Sequence, residues 1–483
     1  MTLPLLLAFM VTGSSPARLP IALHPANPHY FSFRGKPTVL ITSGEHYGAV
    51  LNLDFDYRRY LDSLKKDGLN LTRTFSGVYR EIIGNFNIKN NTLAPKTERY
   101  IGPWPRTNVP GARDGLAKFE LTKFDEAYFK RLKDFIGQAG RRGIVVELVL
   151  FCPFYEDSMW NVDPMNVKNN VNGIGNIPRT DVYTLKYPDL VAVHDALVRS
   201  IIRELRDFDN LYYEICNEPY FGGVTLDWQH HVADTIVDAE KVFPAKHLIA
   251  QNIANGSAKV TNPHAAVSIF NFHYAAPPDA VRENWALNKP IAFDETGFKG
   301  SEDKTYRAQA WHFLLAGGAV FDNLDYSFTP AHPDGTALAA PPTPGGGSQA
   351  LRSQLSILKR FIESFEFLRM APGDGGTVRE LTPGTQSRCL AERGMAYAIY
   401  FQGGPRAAGV LDLPSARYQM EWINTHTGQV VTSKRFSHKG GGLPFQSPDF
   451  EEDIALRLVD AKYPRDYESR EEPPPPPCSI RNK

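Results

Sequence analysis

The sequence predicts an α/β fold, a (β/α)8 TIM barrel followed by a small C-terminal antiparallel β-sandwich domain. The barrel is predicted by eight short apolar runs typical of buried strands and by the amphipathic stretches that separate them. The second domain is predicted by a change to short alternating runs separated by Gly and Pro. The 483 residues have room for both units, since a barrel takes about 250 residues.

The predicted barrel elements alternate in a single β-then-α order between residues 29 and 370. The strand-like runs are 38–43, 69–75, 144–151, 211–216, 247–252, 266–272, 290–294 and 319–324. Helices with apolar residues at helical spacing are predicted at 56–67, 125–142, 187–206, 227–242, 304–316 and 351–368. Eight strands in one order predict that the sheet closes on itself.

Two predicted connections are much longer than the usual short loops of a barrel. They are residues 76–123 after the second strand and 152–186 after the third. Both follow the carboxyl end of a strand, on the face that carries the active site in barrel enzymes. We expect the two loops to wall a cleft with their aromatic side chains, which include Tyr79, Trp104, Tyr155 and Trp160.

The C-terminal part of the chain predicts a sandwich over residues 372–465. Its strand-like runs are 388–402, 406–413, 419–424 and 453–459. Trp422 is expected in the sandwich core, so the domain is expected to brace the barrel, with glycan binding as the alternative. The tail 466–483, with its run of consecutive prolines, is predicted to be disordered.

The N-terminal segment 1–17 resembles a signal peptide, because the apolar run 3–11 precedes small residues typical of a cleavage site. This segment predicts a secreted or periplasmic protein, and the alternative is an N-terminal extension without function. The run is too short to span a bilayer, which takes about 20 residues. We therefore expect no membrane partner.

The charges of the chain balance, with 53 Lys and Arg against 53 Asp and Glu. This balance excludes the basic footprint of a nucleic-acid-binding protein and favours a neutral ligand. Cysteines occur at positions 152, 216, 389 and 478 without the Cys-x-x-Cys or Cys/His spacing of a zinc site. We expect neither a metal site nor a disulfide framework.

Two predicted strands end in a carboxylate. The fourth strand is followed by Asn217-Glu218-Pro219, and the seventh ends in Asp294-Glu295. Cleavage of a glycosidic bond with retention needs two carboxyl groups about 5 to 5.5 Å apart, one to protonate the leaving oxygen and one to attack. Neighbouring residues of a strand point to opposite faces, so only one of Asp294 and Glu295 can reach a ligand.

These motifs resemble those of the clan A glycoside hydrolases, which include the family 5 cellulases and mannanases. The resemblance implies a retaining (β/α)8-barrel hydrolase of a β-linked neutral oligo- or polysaccharide, with endo-acting β-glucanases among its relatives. It implies that Glu218 is the catalytic acid/base and that Glu295 is the nucleophile. It implies no cofactor, and the expected partner is the carbohydrate substrate.

The resemblance extends to residues around the two carboxylates. It implies that Asn217 binds the sugar 2-hydroxyl and that Arg73 of the second strand keeps the nucleophile ionised. The pair His273-Tyr274 follows the sixth strand, and Tyr274 is expected to donate a hydrogen bond to Glu295. The residues alone leave two alternatives open, a structural ion pair for Arg73 and a core position for His273.

Two strand ends depart from the family 5 pattern. The third strand ends in Phe151-Cys152 where many family members carry a His, and the eighth lacks their Trp. Tyr326 or Trp160 is predicted to replace that Trp as a platform for the sugar. His46, after the first strand, is predicted to belong to the subsite of the non-reducing end, with a rim ion pair to Glu45 as the alternative.

Two other classes of function were weighed against hydrolysis of a glycoside. A barrel that binds carbohydrate without catalysis would use the same aromatic residues, but it would not need both carboxylates. Acyl transfer and metal-dependent hydrolysis lack their usual motifs, because the sequence contains no Gly-x-Ser-x-Gly and no His-Glu-x-x-His.

Overall fold

The computed structural model describes residues 19–339, 343–373 and 375–463. The signal-peptide-like segment 1–17 and the proline-rich tail 466–483 lie outside these ranges, and both remain predictions. Within the described ranges, no helix is both long enough and apolar enough to cross a membrane.

Eight parallel strands form the barrel. They are β1 Leu40–Gly44, β2 Leu71–Phe75, β3 Val145–Phe151, β4 Leu211–Cys216, β5 Ile249–Asn255, β6 Val267–His273, β7 Ile291–Glu295 and β8 Val320–Leu324. Each strand from β2 to β8 pairs in parallel with the next. β1 pairs with β8, and its continuation His46–Tyr47 pairs with β2. The barrel closes through these two segments, which confirms the predicted fold class.

Helices other than the third cover the outside of the barrel. The helices are α1 Tyr57–Lys66, α2 Glu126–Arg141, α3 Asp157–Val162, α4 Pro188–Leu205, α5 Leu226–Glu240, α6 Asp279–Asn284, α7 Asp303–Leu315 and α8 Gln349–Glu363. Side chains cap the N-termini of α1, α2, α5 and α8; for example, the Asp125 carboxylate accepts from the Tyr128 amide at 3.0 Å. The described residues 256–266 between β5 and β6 contain no helix, so this side of the barrel has a thinner outer layer.

Short strands and one short helix lie near the N-terminus and in the two long loops. A three-stranded antiparallel sheet consists of Ala22–Leu23, Phe31–Phe33 and Lys36–Thr38. In the loop after β2, Arg106–Pro110 pairs with Ala117–Phe119. The short helix α3 lies in the loop after β3. Both long loops are therefore ordered by structure of their own.

The C-terminal domain consists of two antiparallel sheets. The larger sheet contains Ala371–Pro372, Gln386–Glu392, Ala396–Gln402, Asp453–Asp460, Ala416–Ile423 and Val430–His438 in that order, and the smaller contains Val378–Arg379, Ala408–Leu413 and Gly441–Gln446. Their apolar faces share a core that includes Phe401, Leu411 and Trp422. The predicted run 388–402 is a hairpin rather than one strand, because its turn uses Gly394 at a φ of 86°.

Helix α7 joins the two domains. The Trp311 ring stacks on Tyr400 with 5.3 Å between ring centroids. The Arg307 guanidinium donates to the Asp453 carboxylate at 2.7 Å. Trp311 and Arg307, which both belong to α7, are buried. The barrel and the sandwich therefore share one continuous packed interface.

Candidate active site

A cavity lies at the carboxyl ends of the barrel strands. Its walls include Glu218, which follows β4, and Glu295, the last residue of β7. The aromatic part of the lining includes Tyr47, Phe75, Tyr79, Tyr155, Tyr274 and Tyr326. The cavity holds about 570 Å³ of space, part of it open to solvent. Ligand pockets are lined mainly by hydrophobic and aromatic side chains with a few polar groups, so this cavity has the lining of a ligand site.

Glu218 and Glu295 face each other in this cavity. One carboxylate oxygen of each residue and a ring nitrogen of His273 lie within 4.8 Å of one another. Asp294 instead points into the barrel interior, where it is 0% exposed and its carboxylate lies 3.3 Å from Arg73 Nε. Asp294 and Glu295 nevertheless both approach Arg73 and His273. The expectation that they point to opposite faces is therefore wrong, because the register of β7 shifts at this point. Of the two carboxylates, Glu295 is the one that lines the cavity.

The Glu295 carboxylate accepts hydrogen bonds from two tyrosines. Tyr274 Oη donates to Oε1 at 2.5 Å, and Tyr47 Oη donates to Oε2. Arg73 Nη1 lies 3.4 Å from Oε2. These donors come from three different strand ends, so together they fix the orientation of the carboxylate.

Arg73 lies behind the cavity and does not line it. It is 0% exposed, and its Nε and Nη2 donate to the Glu214 carboxylate at 2.8 and 2.6 Å. Nη2 also donates to Asn217 Oδ1 at 3.0 Å. Asn217, which does line the cavity, donates from Nδ2 to Tyr155 Oη at 2.9 Å. Arg73 therefore forms a buried structural ion pair with Glu214 and also positions residues that line the cavity.

The Glu218 carboxylate has three neighbouring donors. Tyr155 Oη donates at 2.5 Å, Tyr220 Oη at 3.3 Å, and His273 Nδ1 lies at 3.3 Å. Burial raises the pKa of Glu218, but the hydrogen bond and positive charge of His273, helped by the two hydroxyls, outweigh burial. The pKa of Glu218 therefore lies below its usual value.

His273 lies between the two carboxylates. Its Nδ1 is 3.3 Å from Glu218 Oε1 and 3.4 Å from Glu295 Oε2, and the ring is 0% exposed. Burial lowers the pKa of His273, but the charges of Glu295, Asp294 and Glu218 outweigh burial and raise it to about 9. The pair of His273 and Glu218 thus holds one proton at neutral pH, on the imidazole.

The other predicted site residues lie in different places. Tyr326 lines the cavity. Trp160 does not: it packs within its own loop, where it is 4% exposed, its Nε1 donates to the Ile177 carbonyl at 3.1 Å and its ring lies against Phe154. The backbone of His46 pairs with β2 beside Arg73. A role for the His46 side chain at the site remains a prediction.

Several residues of the site were not predicted as such. Tyr47 comes directly after His46 in the sequence, but the sequence does not indicate its hydrogen bond to Glu295. Tyr155 was expected in a wall of the cleft and not as a donor to Glu218. Glu214 shares a strand face with Glu218, yet its partner Arg73 lies on another strand 141 residues away.

Strained backbone is concentrated at the cavity. Tyr47, Glu218, Tyr274 and Phe298 all have positive φ, at 81°, 38°, 51° and 55°. Each such residue costs on the order of 1 kcal/mol or more and persists only where the surrounding structure enforces it. The surrounding structure holds these residues in strained conformations, which direct their side chains towards the cavity.

No protein-family model and no curated protein matches the sequence. Among solved structures, the chain is similar to a protein of Bacteroides vulgatus provisionally assigned as a glycoside hydrolase, with a TM-score of 0.65 and 17% identity over 92% of this chain and 83% of that one. It is also similar to a family 5 glycoside hydrolase of the same bacterium, with a TM-score of 0.61 and 14% identity over 93% and 95% of the two chains. The chain thus shares its two-domain fold with these structures.

Proposed function

We propose that the protein is a retaining glycoside hydrolase that cleaves a β-linked neutral oligo- or polysaccharide. The observation that carries this proposal is the pair Glu218 and Glu295, whose nearest carboxylate oxygens lie within 4.8 Å in one cavity. Retaining hydrolases hold their carboxyl groups about 5 to 5.5 Å apart, whereas inverting ones need about 6.5 to 9.5 Å to admit a water molecule. The similarity in fold to glycoside hydrolases supports the same conclusion.

In the proposed first step, Glu295 attacks the anomeric carbon while the bond to the leaving oxygen breaks. Glu218 donates a proton to that oxygen. Before the reaction, the His273–Glu218 pair holds this proton. Tyr47 and Tyr274 orient the attacking carboxylate. The product is a covalent glycosyl-enzyme on Glu295.

In the proposed second step, water releases the sugar from Glu295. Glu218 now acts as a base, takes a proton from the water and so restores the proton of the pair. Asn217 is held by Arg73 and Tyr155 at the cavity wall, where it can bind the sugar 2-hydroxyl. Tyr326 offers an aromatic face beside Glu295, in the role that the sequence predicted for it.

The nucleophile is tested by Glu295→Ala. We expect this variant to lose nearly all activity on aryl β-glycosides, because it removes the carboxylate that attacks the anomeric carbon. Azide should restore turnover by occupying the vacated space, and the glycosyl azide should have the inverted anomeric configuration. The exposed Glu283→Ala is the matched control and should keep wild-type activity.

Two results would contradict the proposal. Undiminished turnover by Glu295→Ala would exclude Glu295 as the nucleophile. Calorimetric binding of sugar by the wild-type protein, with no products after long incubation with any β-glycoside, would instead favour a barrel that binds carbohydrate without catalysis.

A further inference from the structure

Residues from almost every barrel strand line the cavity. Among the described residues, each barrel strand except β5 contributes a lining residue at or just after its carboxyl end. A groove that accommodates the middle of a polysaccharide must be open at two opposite ends. Among the described residues, the gap in this lining is at the end of β5.

The wall opposite this gap comes from residues 79–93 of the loop after β2, which is fixed against the end of β1. A Cβ atom on Gly48 would lie 2.2 Å from the Thr92 carbonyl carbon, so the two backbones are in close contact. Asn52 Nδ2 donates to the Thr92 carbonyl at 2.9 Å, and the Thr92 hydroxyl donates to Glu45. The position of this wall is therefore set by the barrel itself.

This wall presents a buried carboxylate to the cavity. Glu81 lines the cavity and is 8% exposed. Tyr79 Oη lies 3.2 Å from its Oε1, and Asn91 Nδ2 donates to its Oε2. A carboxylate has about four acceptor positions, so Glu81 can still accept hydrogen bonds from a ligand. Burial raises its pKa to about 7, with hydrogen bonds from Asn91 and Tyr79 acting in the opposite direction.

The gap at β5 lies beside the proposed acid/base. Tyr220 and Phe221 follow Glu218 and are 37% and 44% exposed. The Tyr220 hydroxyl bonds to Asn255 at the end of β5 and lies 3.3 Å from Glu218 Oε1. A leaving group that takes its proton from Glu218 would depart on this side, past two exposed aromatic rings. The closed side, with Glu81, is left for the sugar that Glu295 attacks.

We propose that the enzyme is exo-acting and removes single terminal sugars from the non-reducing end, with Glu81 and Asn91 binding hydroxyls of that sugar. This inference rests on the proposed glycoside hydrolase function. The relatives implied by the sequence included endo-acting β-glucanases, and this inference assigns the protein the other mode of action. The substrate class is a β-linked neutral oligosaccharide, or the non-reducing end of a polymer, whose terminal unit has free hydroxyls.

The mode of action is tested with wild-type enzyme and cello-, manno- and xylooligosaccharides that carry a fluorophore at the reducing end. Exo-action yields labelled products that shorten by one unit at a time from the earliest time points. Labelled fragments of many lengths at those times would overturn exo-action and leave the hydrolase function standing. If neither these substrates nor any aryl glycoside is hydrolysed, the proposed function fails, and this inference fails with it.

The role of Glu81 is tested by Glu81→Gln on 4-nitrophenyl β-glycosides and their monodeoxy analogues. Hydrogen bonds to a charged group contribute about 1.5 to 3 kcal/mol, so we expect kcat/KM to fall about 10- to 100-fold on the parent glycoside. On the analogue that lacks the bonded hydroxyl, the variant and the wild type should differ little, whereas a folding defect would lower both rates alike. Equal losses on the parent and on every analogue, or no loss at all, would overturn the role of Glu81.

The matched control is Glu98→Gln, which neutralises an exposed carboxylate further along the same loop. It should leave both kcat/KM and the product pattern unchanged. A loss like that of Glu81→Gln would show that the loop responds to its overall charge, which would also overturn the specific role of Glu81.

Discussion

At the scale of single residues, the proton shared by His273 and Glu218 controls the proposed chemistry. The imidazole lies within 3.4 Å of both carboxylates, and their charges raise its pKa to about 9. The same contact lowers the pKa of Glu218. Because the two groups interact strongly, they titrate as a pair, and the second proton loss of the pair falls near the higher value.

This reasoning predicts the effect of His273→Gln on the pH dependence of kcat/KM. In the wild type, the basic limb should fall near pH 9, where the pair loses its last proton. In the variant, Glu218 must hold the proton without the imidazole, so the basic limb should move to lower pH. Rates measured on an aryl glycoside across this range test the shift, with the exposed His332→Gln as control. An unmoved basic limb would contradict the shared proton.

The same pKa predicts how stability depends on pH. The folded pKa of His273 is raised above the unfolded value of about 6.5, so its contribution to stability is complete below that pH and disappears as the pH rises through about 9. The difference in free energy of unfolding between wild type and His273→Gln should therefore shrink from pH 6 to pH 9. Urea unfolding at several pH values measures it, and a difference that grows with pH would contradict the raised pKa.

Single residues were predictable from sequence where a motif fixed their place on a strand. Glu218 and Glu295 follow from strand ends, and the structure brings both into one cavity. Trp160 was expected to face a sugar, but its indole packs inside its loop, because the sequence does not show which way a loop side chain turns. Tyr155 and Tyr47 meet their carboxylates across strands, and sequence spacing does not reveal such contacts.

At the scale of elements, the buried strands were predictable because each is an apolar run of the right length. The predicted 144–151 and 211–216 agree with Val145–Phe151 and Leu211–Cys216 to within one residue. Val430–His438 was not predicted, since most of its side chains are exposed and polar and its pairing with Ala416–Ile423 determines its conformation. The packing of the loop after β2 on β1 also depends on tertiary contacts.

That loop packing predicts the effect of Gly48→Ala. The added methyl group would overlap the Thr92 backbone, and a backbone cannot yield as the end of a flexible side chain can. Overpacking of this kind costs about 1 to 3 kcal/mol. We expect the variant to have a lower melting temperature and, because the wall carrying Glu81 moves, a lower kcat/KM.

The control for Gly48→Ala is Gly137→Ala in helix α2, where the new methyl group meets its nearest neighbour at an ordinary 3.5 Å. Ala is favoured over Gly inside a helix by about 0.5 to 1 kcal/mol, so this change should raise the melting temperature slightly. If Gly48→Ala were as stable and active as the wild type, the close contact between the end of β1 and the loop would be refuted.

At the scale of the whole molecule, the sequence indicated two domains but not how they meet. The interface is formed by α7 and the larger sheet of the sandwich, whose contacting residues lie far apart in the chain. Arg307 and Asp453 are separated by 146 residues. From the sequence alone, a single Arg in a helix is expected to be exposed to solvent. In the structure this Arg is 1% exposed, because it lies in the interface between the two domains.

This interface predicts that Arg307→Ala destabilises the whole molecule. Its Nη2 donates to the Asp453 carboxylate at 2.7 Å and also to Glu452, so removing it leaves the buried Asp453 without its cation. Breaking a buried ion pair on one side costs about 3 to 5 kcal/mol.

Lys304→Ala is the control, because its pair with Glu452 is exposed at 3.6 Å and is worth about 1 kcal/mol or less. Urea unfolding followed by tryptophan fluorescence compares the two, and because α7 belongs to both cores, the barrel and the sandwich should lose stability together. A loss for Arg307→Ala no larger than that for Lys304→Ala would mean that the two domains fold independently.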